Sequence, residues 1–488
     1  MRKYFFVLFV TSCVLILPTK AQNRKSIHQI EYEKHIKDLP VNLNKNKSLK
    51  IIPLKVNSSK TLTKAVFGYY PDWEYLNSSY NNFRYDLLTH IAAFDFKASA
   101  TGSINLPAGW PWTDLINEAH SNGVKIIMVV VNFDKDEIRK IITNSTSRWI
   151  FMNSVKAKIK QYSLDGVNID FEGLYQSDRG SRLNDFMQEL SDTVHNISPE
   201  LEVSYAAPAV NWGGWNLEGL ANSCDYLFIM GYDFFGSWSS VSGPTAPLTG
   251  GSYNITNTVL VQYKNVTERT PEKLILGVPY FGPHWTTSGK EENATVLEYQ
   301  GAVRFRNAAP GFESNGTLWS SKYNTSWYEY LSGFTQHQVW VDNDSSLSLK
   351  YDLAISKNLK GIGMWALGYD GARNELWDLL EDKLVSVKSK TEKPDKFLLL
   401  QNYPNPFNPT TTIQYTIPSA KTLHTTSQYV QLKVYDLLGR EVATLINEEE
   451  QPGNYSIIFN GSDLSAGTYF YQLRYGNYLQ TKKMILLQ

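Results

Sequence analysis

The sequence predicts an α/β chain, a (β/α)8 barrel with a small α+β insertion between strands seven and eight, followed by a C-terminal all-β sandwich. Three observations carry this. From Ala65 to about residue 380, short apolar runs alternate with segments of helical pattern. There are eight such runs, the number a closed parallel barrel needs. Beyond residue 396 the helical pattern stops and short alternating strands take over.

The eight runs are Val66 to Tyr70, His90 to Phe96, Lys125 to Asn132, Gly166 to Phe171, Glu202 to Ala207, Tyr226 to Tyr232, Leu274 to Tyr280 and Gly361 to Ala366. Helices are expected between several of them, including Trp112 to Ser121, Ser147 to Tyr162 and Ser181 to Asn196. The unbroken stretch Ile126-Ile127-Met128-Val129-Val130-Val131 suits a strand buried on both faces. An open doubly wound sheet is the alternative by pattern alone. The connection between the seventh and eighth runs exceeds what one helix needs. It carries Trp319, Trp327, Tyr328, Tyr330 and the alternating stretch Gln336 to Asp342, so an insertion over about 283–345 is expected at the rim, as one wall of a cleft.

The remaining segments divide accordingly. Arg2 and Lys3, the apolar run Tyr4 to Pro18 and the small residues before Ala21 form a signal-peptide pattern over 1–21. Val10-Thr11-Ser12-Cys13 weakly resembles a lipoprotein box, but Val14 to Leu17 continues the apolar core past the cysteine. Residues 22–63 read as a linker or loosely ordered arm with one short helix around Ile27 to Ile36. Residues 64–382 form the barrel, 383–396 a linker and 397–488 the sandwich. Lys+Arg and Asp+Glu both count 47, so net charge offers no electrostatic reason to expect nucleic acid or an anionic membrane as partner. No run besides the signal pattern is apolar enough for stable membrane insertion. After the signal leaves, Cys224 is alone, so no intramolecular disulfide is expected and the thiol reads as buried and structural.

The informative segment is Asp165-Gly166-Val167-Asn168-Ile169-Asp170-Phe171-Glu172-Gly173. In a strand, Asn168, Asp170 and Glu172 point one way and Val167, Ile169 and Phe171 the other. The apolar row suits the outside of a barrel, against helices. The inner row, usually branched and apolar, carries an amide and two carboxylates, which is costly without a compensating role. The same alternation would also suit an antiparallel strand with a solvated acidic face, and the residue identities decide between them.

Asp-Gly-x-x-x-Asp-x-Glu resembles the fourth-strand signature of glycoside hydrolase family 18, the chitinase-like family. Matches follow in chain order. Phe67-Gly68-Tyr69-Tyr70 with Trp73 resembles the first strand and Leu88-Thr89-His90-Ile91 the second. Met230-Gly231-Tyr232-Asp233 resembles the sixth, Leu276 to Gly282 the seventh and Gly361-Ile362-Gly363-Met364-Trp365 the eighth. The resemblance implies a retaining, substrate-assisted hydrolase of β-1,4-linked N-acetylglucosamine polymers. Its polysaccharide substrate would be chitin by default, with the peptidoglycan glycan as alternative. A chitin-binding lectin on the same barrel is disfavoured because Glu172 is retained. The resemblance makes Glu172, Asp170 and Tyr232 catalytic: Glu172 the acid, Asp170 the group that orients the 2-acetamido substituent, Tyr232 its hydrogen-bond donor. It places Tyr69, Phe94, Asn168, Met230, Asp233, Tyr280 and Trp365 around the sugar, with Trp365 as the floor. No metal or organic cofactor is implied. Some of Trp110, Trp112, Trp212, Trp215, Trp238 and Trp285 are expected to line further subsites.

Two positions depart from the family pattern. Asn168 stands where the family usually has a third acid, and it is expected to hydrogen-bond Asp170. In strand three, Val129-Val130-Val131-Asn132 replaces the family's Ser-x-Gly-Gly. Finally, Gln401-Asn402-Tyr403-Pro404-Asn405-Pro406-Phe407-Asn408-Pro409, Val434 to Glu441 and Gly467 to Tyr471 together resemble the type A sorting domain of bacterial type IX secretion. This implies the type IX secretion machinery as partner and an extracellular or outer-membrane-surface location.

Overall fold

The computed structural model describes residues 25–36, 50–55, 62–385, 397–418, 429–450, 453–476 and 478–487. The signal pattern, the rest of the arm and most of the linker before residue 397 lie outside the described residues. The chain divides into two compact units between Ser386 and Val387.

In the first unit, β1 (Ala65–Pro71), β2 (His90–Lys97), β3 (Lys125–Asn132), β4 (Gly166–Phe171), β5 (Glu202–Pro208), β6 (Tyr226–Met230) and β7 (Leu274–Pro279) are followed by five strands of an insertion. These are β8 (Phe281–Thr287), β9 (Val296–Arg304), β10 (Leu318–Ser320), β11 (Thr325–Ser332) and β12 (Thr335–Val339), and β13 (Gly361–Trp365) comes last. Strands β1–β7 and β13 close into a parallel barrel, β1-β13-β7-β6-β5-β4-β3-β2. Helices such as Ser145–Tyr162 and Ser181–His195 cover its outside. Their apolar stripes are buried: Leu183, Phe186, Met187, Leu190 and Val194 on the second. Repetition of apolar residues every three to four positions is what such a helix needs to face a sheet.

The barrel interior changes character along its axis. At the N-terminal end Glu202 accepts from Lys125 Nζ at 2.6 Å and from Tyr226 OH at 3.0 Å, and it meets His90 Nε2 at 2.8 Å. Burial alone would raise this carboxyl, but His90 and Lys125 outweigh it and hold the pKa well below the usual range. Above lies an aromatic layer in which Phe67 and Tyr69 pack on Phe228 with centroids 5.5 and 4.7 Å away. Two glycines make room for that ring. A Cβ on Gly277 or Gly363 would lie 2.4 Å from Phe228. The third, upper layer is polar and carries Asn168 and Asp170.

Strands β8–β12 form one antiparallel sheet in the order β10-β11-β12-β8-β9. It has its own small core of Trp285, Tyr323, Trp327 and Trp340, the last two stacked at 4.7 Å. Behind it, Lys350 on the helix Asp344–Ser356 is fully buried in a close ion pair with Asp342, which also accepts from Ser346 Oγ at 2.6 Å. Cys224 is buried too, and burial raises its thiol well above the ordinary range, as for an inert core thiol.

The second unit consists of β14 (Leu398–Leu399), β15 (Thr410–Ile417), β16 (Tyr429–Tyr435), β17 (Glu441–Glu449), β18 (Gly453–Asn460), β19 (Gly467–Tyr475) and β20 (Tyr478–Leu486). They make two antiparallel sheets, β14-β15-β18 and β17-β16-β19-β20. Alternate residues, including Ile413, Tyr415, Leu432, Val434, Tyr471 and Leu473, fill the shared core. The Pro- and Asn-rich opening is stitched to it: Asn402 N donates to Tyr471 OH at 2.7 Å, and that hydroxyl donates to Leu400 O at 2.8 Å. Among the described residues no helix is long and apolar enough to cross a membrane.

The buried ion pair gives a stability test. Lys350→Ala leaves the Asp342 carboxylate buried without its counter-charge and should destabilise the first unit by about 3–5 kcal/mol. The midpoint of urea unfolding followed by tryptophan fluorescence reads this directly. The double change Lys350→Met with Asp342→Leu should recover most of the loss.

Candidate active site

Strand β4 places its polar row inside the barrel because its other row, Val167, Ile169 and Phe171, is needed against the helices. All six residues of the strand are buried. Asn168 lies opposite Ser204 of β5 in the parallel register and donates to Ser204 Oγ at 2.9 Å, while Tyr69 OH donates to Asn168 Oδ1 at 2.7 Å. The expected bond from Asn168 to Asp170 is therefore not made. Residues two apart on a strand are about 6.6 Å apart along it, so the amide reaches sideways, to the neighbouring strand and across the barrel.

Asp170 is fully buried, and its Oδ1 has no hydrogen-bond partner among the described residues. Glu172 follows at the C-terminal mouth, its backbone N–H held by Asn132 O at 3.0 Å. Burial raises both carboxyls above the usual range, and the Asp170 charge raises Glu172 further. A carboxylic acid that keeps its proton near neutrality is thus set beside a second carboxyl, the arrangement that general-acid chemistry requires.

The chain beyond β6 adds Tyr232 and Asp233. Asp233 adopts φ +64°, in the left-handed region that Asp tolerates better than most residues. Its backbone N–H donates to Thr245 Oγ1 at 3.0 Å. Burial pushes its carboxyl up to about 6. Trp365 ends β13 with Phe94 edge-on at 4.9 Å and Tyr69 at 5.6 Å. Asp170, Glu172, Tyr232, Asp233 and Trp365 thus converge on one place, with Tyr69 and Phe94 packed beside it. Tyr280 does not join them: it is buried, with its hydroxyl 3.4 Å from that of Tyr351.

A groove of about 480 Å³ leads away from Glu172, lined by Met230, Trp212, Trp215, Trp238, Arg179 and Tyr253 among others. The other three tryptophans serve packing. Trp110 and Trp112 pack on each other at 5.2 Å, and Trp285 belongs to the insertion's core. A second groove of about 320 Å³ is bounded by Trp73, Asp72, Asp95 and Lys97.

Between the two grooves lies the helix Ile27–His35, part of the segment that reads in sequence as an arm. Ser26 caps it by accepting from Gln29 N at 3.1 Å, and the same hydroxyl donates to Glu172 Oε1 at 2.8 Å. Ile27 N donates to Asp233 Oδ2 at 2.8 Å. His28 meets Asp170 Oδ2 through Nδ1 and Tyr232 OH through Nε2, both at 2.8 Å, and stacks on Trp365 at 3.8 Å. Burial lowers His28 to about 4 against the opposing pull of Glu172 and Asp233, so the imidazole is neutral at neutral pH. Further along, Glu31 accepts from Arg304 at 3.1 Å and Tyr369 OH at 3.2 Å, and His35 stacks on Trp73 at 4.5 Å. Motif reading passes over Ser26, His28 and Glu31. The available signal was the polar spacing His28, Glu31, Tyr32, His35 behind a Ser N-cap, one helical face of hydrogen-bonding side chains.

Comparison with known proteins agrees with this geometry. Residues 65–370 match the profile of glycosyl hydrolases family 18, and residues 401–487 match that of the secretion system C-terminal sorting domain. Human di-N-acetylchitobiase is 30% identical over 309 residues, covering 56% of this chain and 77% of the relative. The cortical fragment-lytic enzyme of Bacillus subtilis is 25% identical over 318 residues, covering 62% and 69%. Among solved structures, a GH18 chitinase of Cycas revoluta in complex with (GlcNAc)3 aligns with a TM-score of 0.58 at 20% identity, over 65% of this chain and 99% of that one. With the fourth-strand carboxylates, the closed parallel barrel and the family profile in agreement, this chain belongs to glycosyl hydrolase family 18 and is a chitinase-like glycoside hydrolase.

Proposed function

We propose that this glycosidase cleaves β-1,4-linked N-acetylglucosamine polymers of the chitin type by substrate-assisted catalysis, with retention at the anomeric carbon. The observation that carries the reading is the pair of Asp170, fully buried, and Glu172, partly buried at the mouth, both held above the ordinary carboxylate range, beside the Tyr232 hydroxyl and the face of Trp365. Glu172 gives its proton to the glycosidic oxygen as that bond to the anomeric carbon breaks. The carbonyl oxygen of the sugar's own 2-acetamido group attacks the same carbon and forms a cyclic intermediate. Asp170 accepts the acetamido N–H and stabilises the positive charge that develops on the ring. Tyr232 donates to the acetamido oxygen, and Asp233 supports the same subsite. Glu172, now a carboxylate, takes a proton from the water that opens the intermediate. Trp365 lies under the distorted sugar. Asn168, tied to Tyr69 and Ser204, is a positioning residue for the strand that carries both carboxyls.

A second substrate, the glycan of peptidoglycan, is favoured by the similarity to the cortical fragment-lytic enzyme. The sorting-domain match and the N-terminal signal pattern support export through a type IX secretion machinery, with release outside the cell or retention at the outer-membrane surface.

Product analysis by mass spectrometry tests the reading. Wild type should shorten chitin oligosaccharides, and Glu172→Gln should lose roughly 10²–10⁴-fold in rate, the usual share of a general acid. Peptidoglycan incubated in parallel names the substrate if only that glycan is cut. The pH–rate profile provides a second test. Glu172 must be protonated to act, so activity falls as pH rises through its pKa. Asp170→Asn removes the neighbouring charge while burial remains. The alkaline limb of kcat/KM for its residual activity should then move to lower pH.

A further inference from the structure

The helix Ile27–His35 precedes the family match, which begins at residue 65, and adds no strand or covering layer to the barrel. It nevertheless occupies the groups that the proposed mechanism uses. Ser26 holds Glu172, the imidazole of His28 joins Asp170 to Tyr232, the Ile27 N–H holds Asp233, and the His28 ring covers Trp365.

The chemistry of the contact is that of a ligand rather than of a core. A barrel helix such as Ser181–His195 buries leucine, phenylalanine, methionine and valine. The N-terminal helix buries His28, Glu31 and Tyr32 beside Ile27. Both ring nitrogens of His28 are bonded, and Glu31 is bonded to Arg304 and Tyr369, so the contact is held by polar pairs, as at the surfaces of partners that separate, more than by apolar packing. His28 also has the shape of the group it would replace. An acetamido group is planar, with one N–H donor and one acceptor oxygen. The neutral imidazole is planar, and in one tautomer it donates through Nδ1 to Asp170 and accepts through Nε2 from Tyr232, while its face rests on Trp365. The helix also divides the cleft into the two grooves on either side of it. A polymer threaded past Glu172 would have to pass through the place where His28 lies.

We propose that this segment is an intramolecular inhibitor of the hydrolase: Ser26 and His28 fill the sugar site, with His28 standing in for the 2-acetamido group, and the glycan is bound only when the helix leaves. The inference rests on the sugar-site reading above. A tethered competitor reduces apparent affinity by the fraction of molecules in which it is docked and leaves turnover unchanged once substrate is bound. Glu31, gripped by Arg304 and Tyr369, is the second anchor.

The test uses the full chain with His28→Ala and, separately, Glu31→Ala, assayed on chitin oligosaccharides and on peptidoglycan. The expected result is a rise in kcat/KM of about tenfold or more, on the scale of losing two hydrogen bonds and a ring stack, carried by KM with kcat retained. Hydrogen–deuterium exchange read by mass spectrometry should show faster exchange of residues 27–35 in both variants, and in wild type when an oligosaccharide is bound. Unchanged or lower kcat/KM in folded variants, or oligosaccharide bound with the helix still protected, overturns inhibition and leaves the hydrolase reading intact. If no variant cuts or binds either glycan, the substrate reading fails by itself. Exchange then decides occlusion: protection in wild type that His28→Ala releases upholds it, and exchange at the rate of an unfolded peptide overturns it.

Discussion

Two carboxyls placed on the inner face of a closed barrel are the constraint around which this molecule is organised. Left alone, Asp170 and Glu172 would carry a desolvation penalty of several kcal/mol each when ionised. The surroundings meet that penalty without a lysine or arginine counter-charge: burial dominates the upward shift of both, the pair resists losing both protons, and no lysine or arginine touches either among the described residues. Contrast the other end of the same barrel, where Glu202, largely enclosed, is held ionised by Lys125 and His90. One interior thus contains a carboxylate used as structure and a carboxylic acid kept for chemistry, separated by the aromatic layer of Phe67, Tyr69 and Phe228.

The insertion and the N-terminal helix are read best through that site. Arg304, the last residue of β9, donates to Glu74 at 2.8 Å and to Glu31 at 3.1 Å, so a single guanidinium ties the insertion to the first barrel loop and to the docked helix. Burial would raise Glu31, yet His35, Lys34 and Arg304 together hold it down at about 2, so it remains an anion across the physiological range. The helix is therefore held at two points of different kind, a neutral imidazole over the catalytic groups and a charged pair at the rim. The charged anchor can weaken without disturbing the barrel core, because Arg304 keeps Glu74.

The C-terminal unit solves a different problem. It buries alternate residues between two antiparallel sheets, and its Pro- and Asn-rich opening is anchored by side-chain hydrogen bonds such as those of Asn402 with Pro404 O and Thr411 Oγ1. Nothing in its core depends on the barrel's chemistry, in keeping with a module whose profile match lies wholly within residues 401–487.

Much of this architecture is legible in the sequence. Strand periodicity located the eight barrel strands, because burial on both faces leaves long apolar runs, and the polar row Asn168, Asp170, Glu172 stood out because a barrel interior rejects such residues without cause. Local sequence could not say where those side chains find partners. Asn168 was expected on Asp170 and instead bonds Ser204 and Tyr69, since register between strands and closure of the barrel decide which atoms come within 3 Å. Tyr280 sits in a motif yet points into the packing against Tyr351, and three of the loop tryptophans reach the groove while three are packed away. The docking of the N-terminal helix was the least legible feature, although the helix itself, expected around Ile27 to Ile36, forms over Ile27–His35. Its residues have no run of apolar spacing, because its buried face is hydrogen-bonded rather than hydrophobic, and its partners Asp170, Glu172 and Tyr232 lie more than a hundred positions away in the chain. Local composition and periodicity determined the alternation of strands and helices, the two units and the acidic strand; only tertiary closure, which brings distant donors and acceptors into one desolvated space, decided which groups meet and what fills the site.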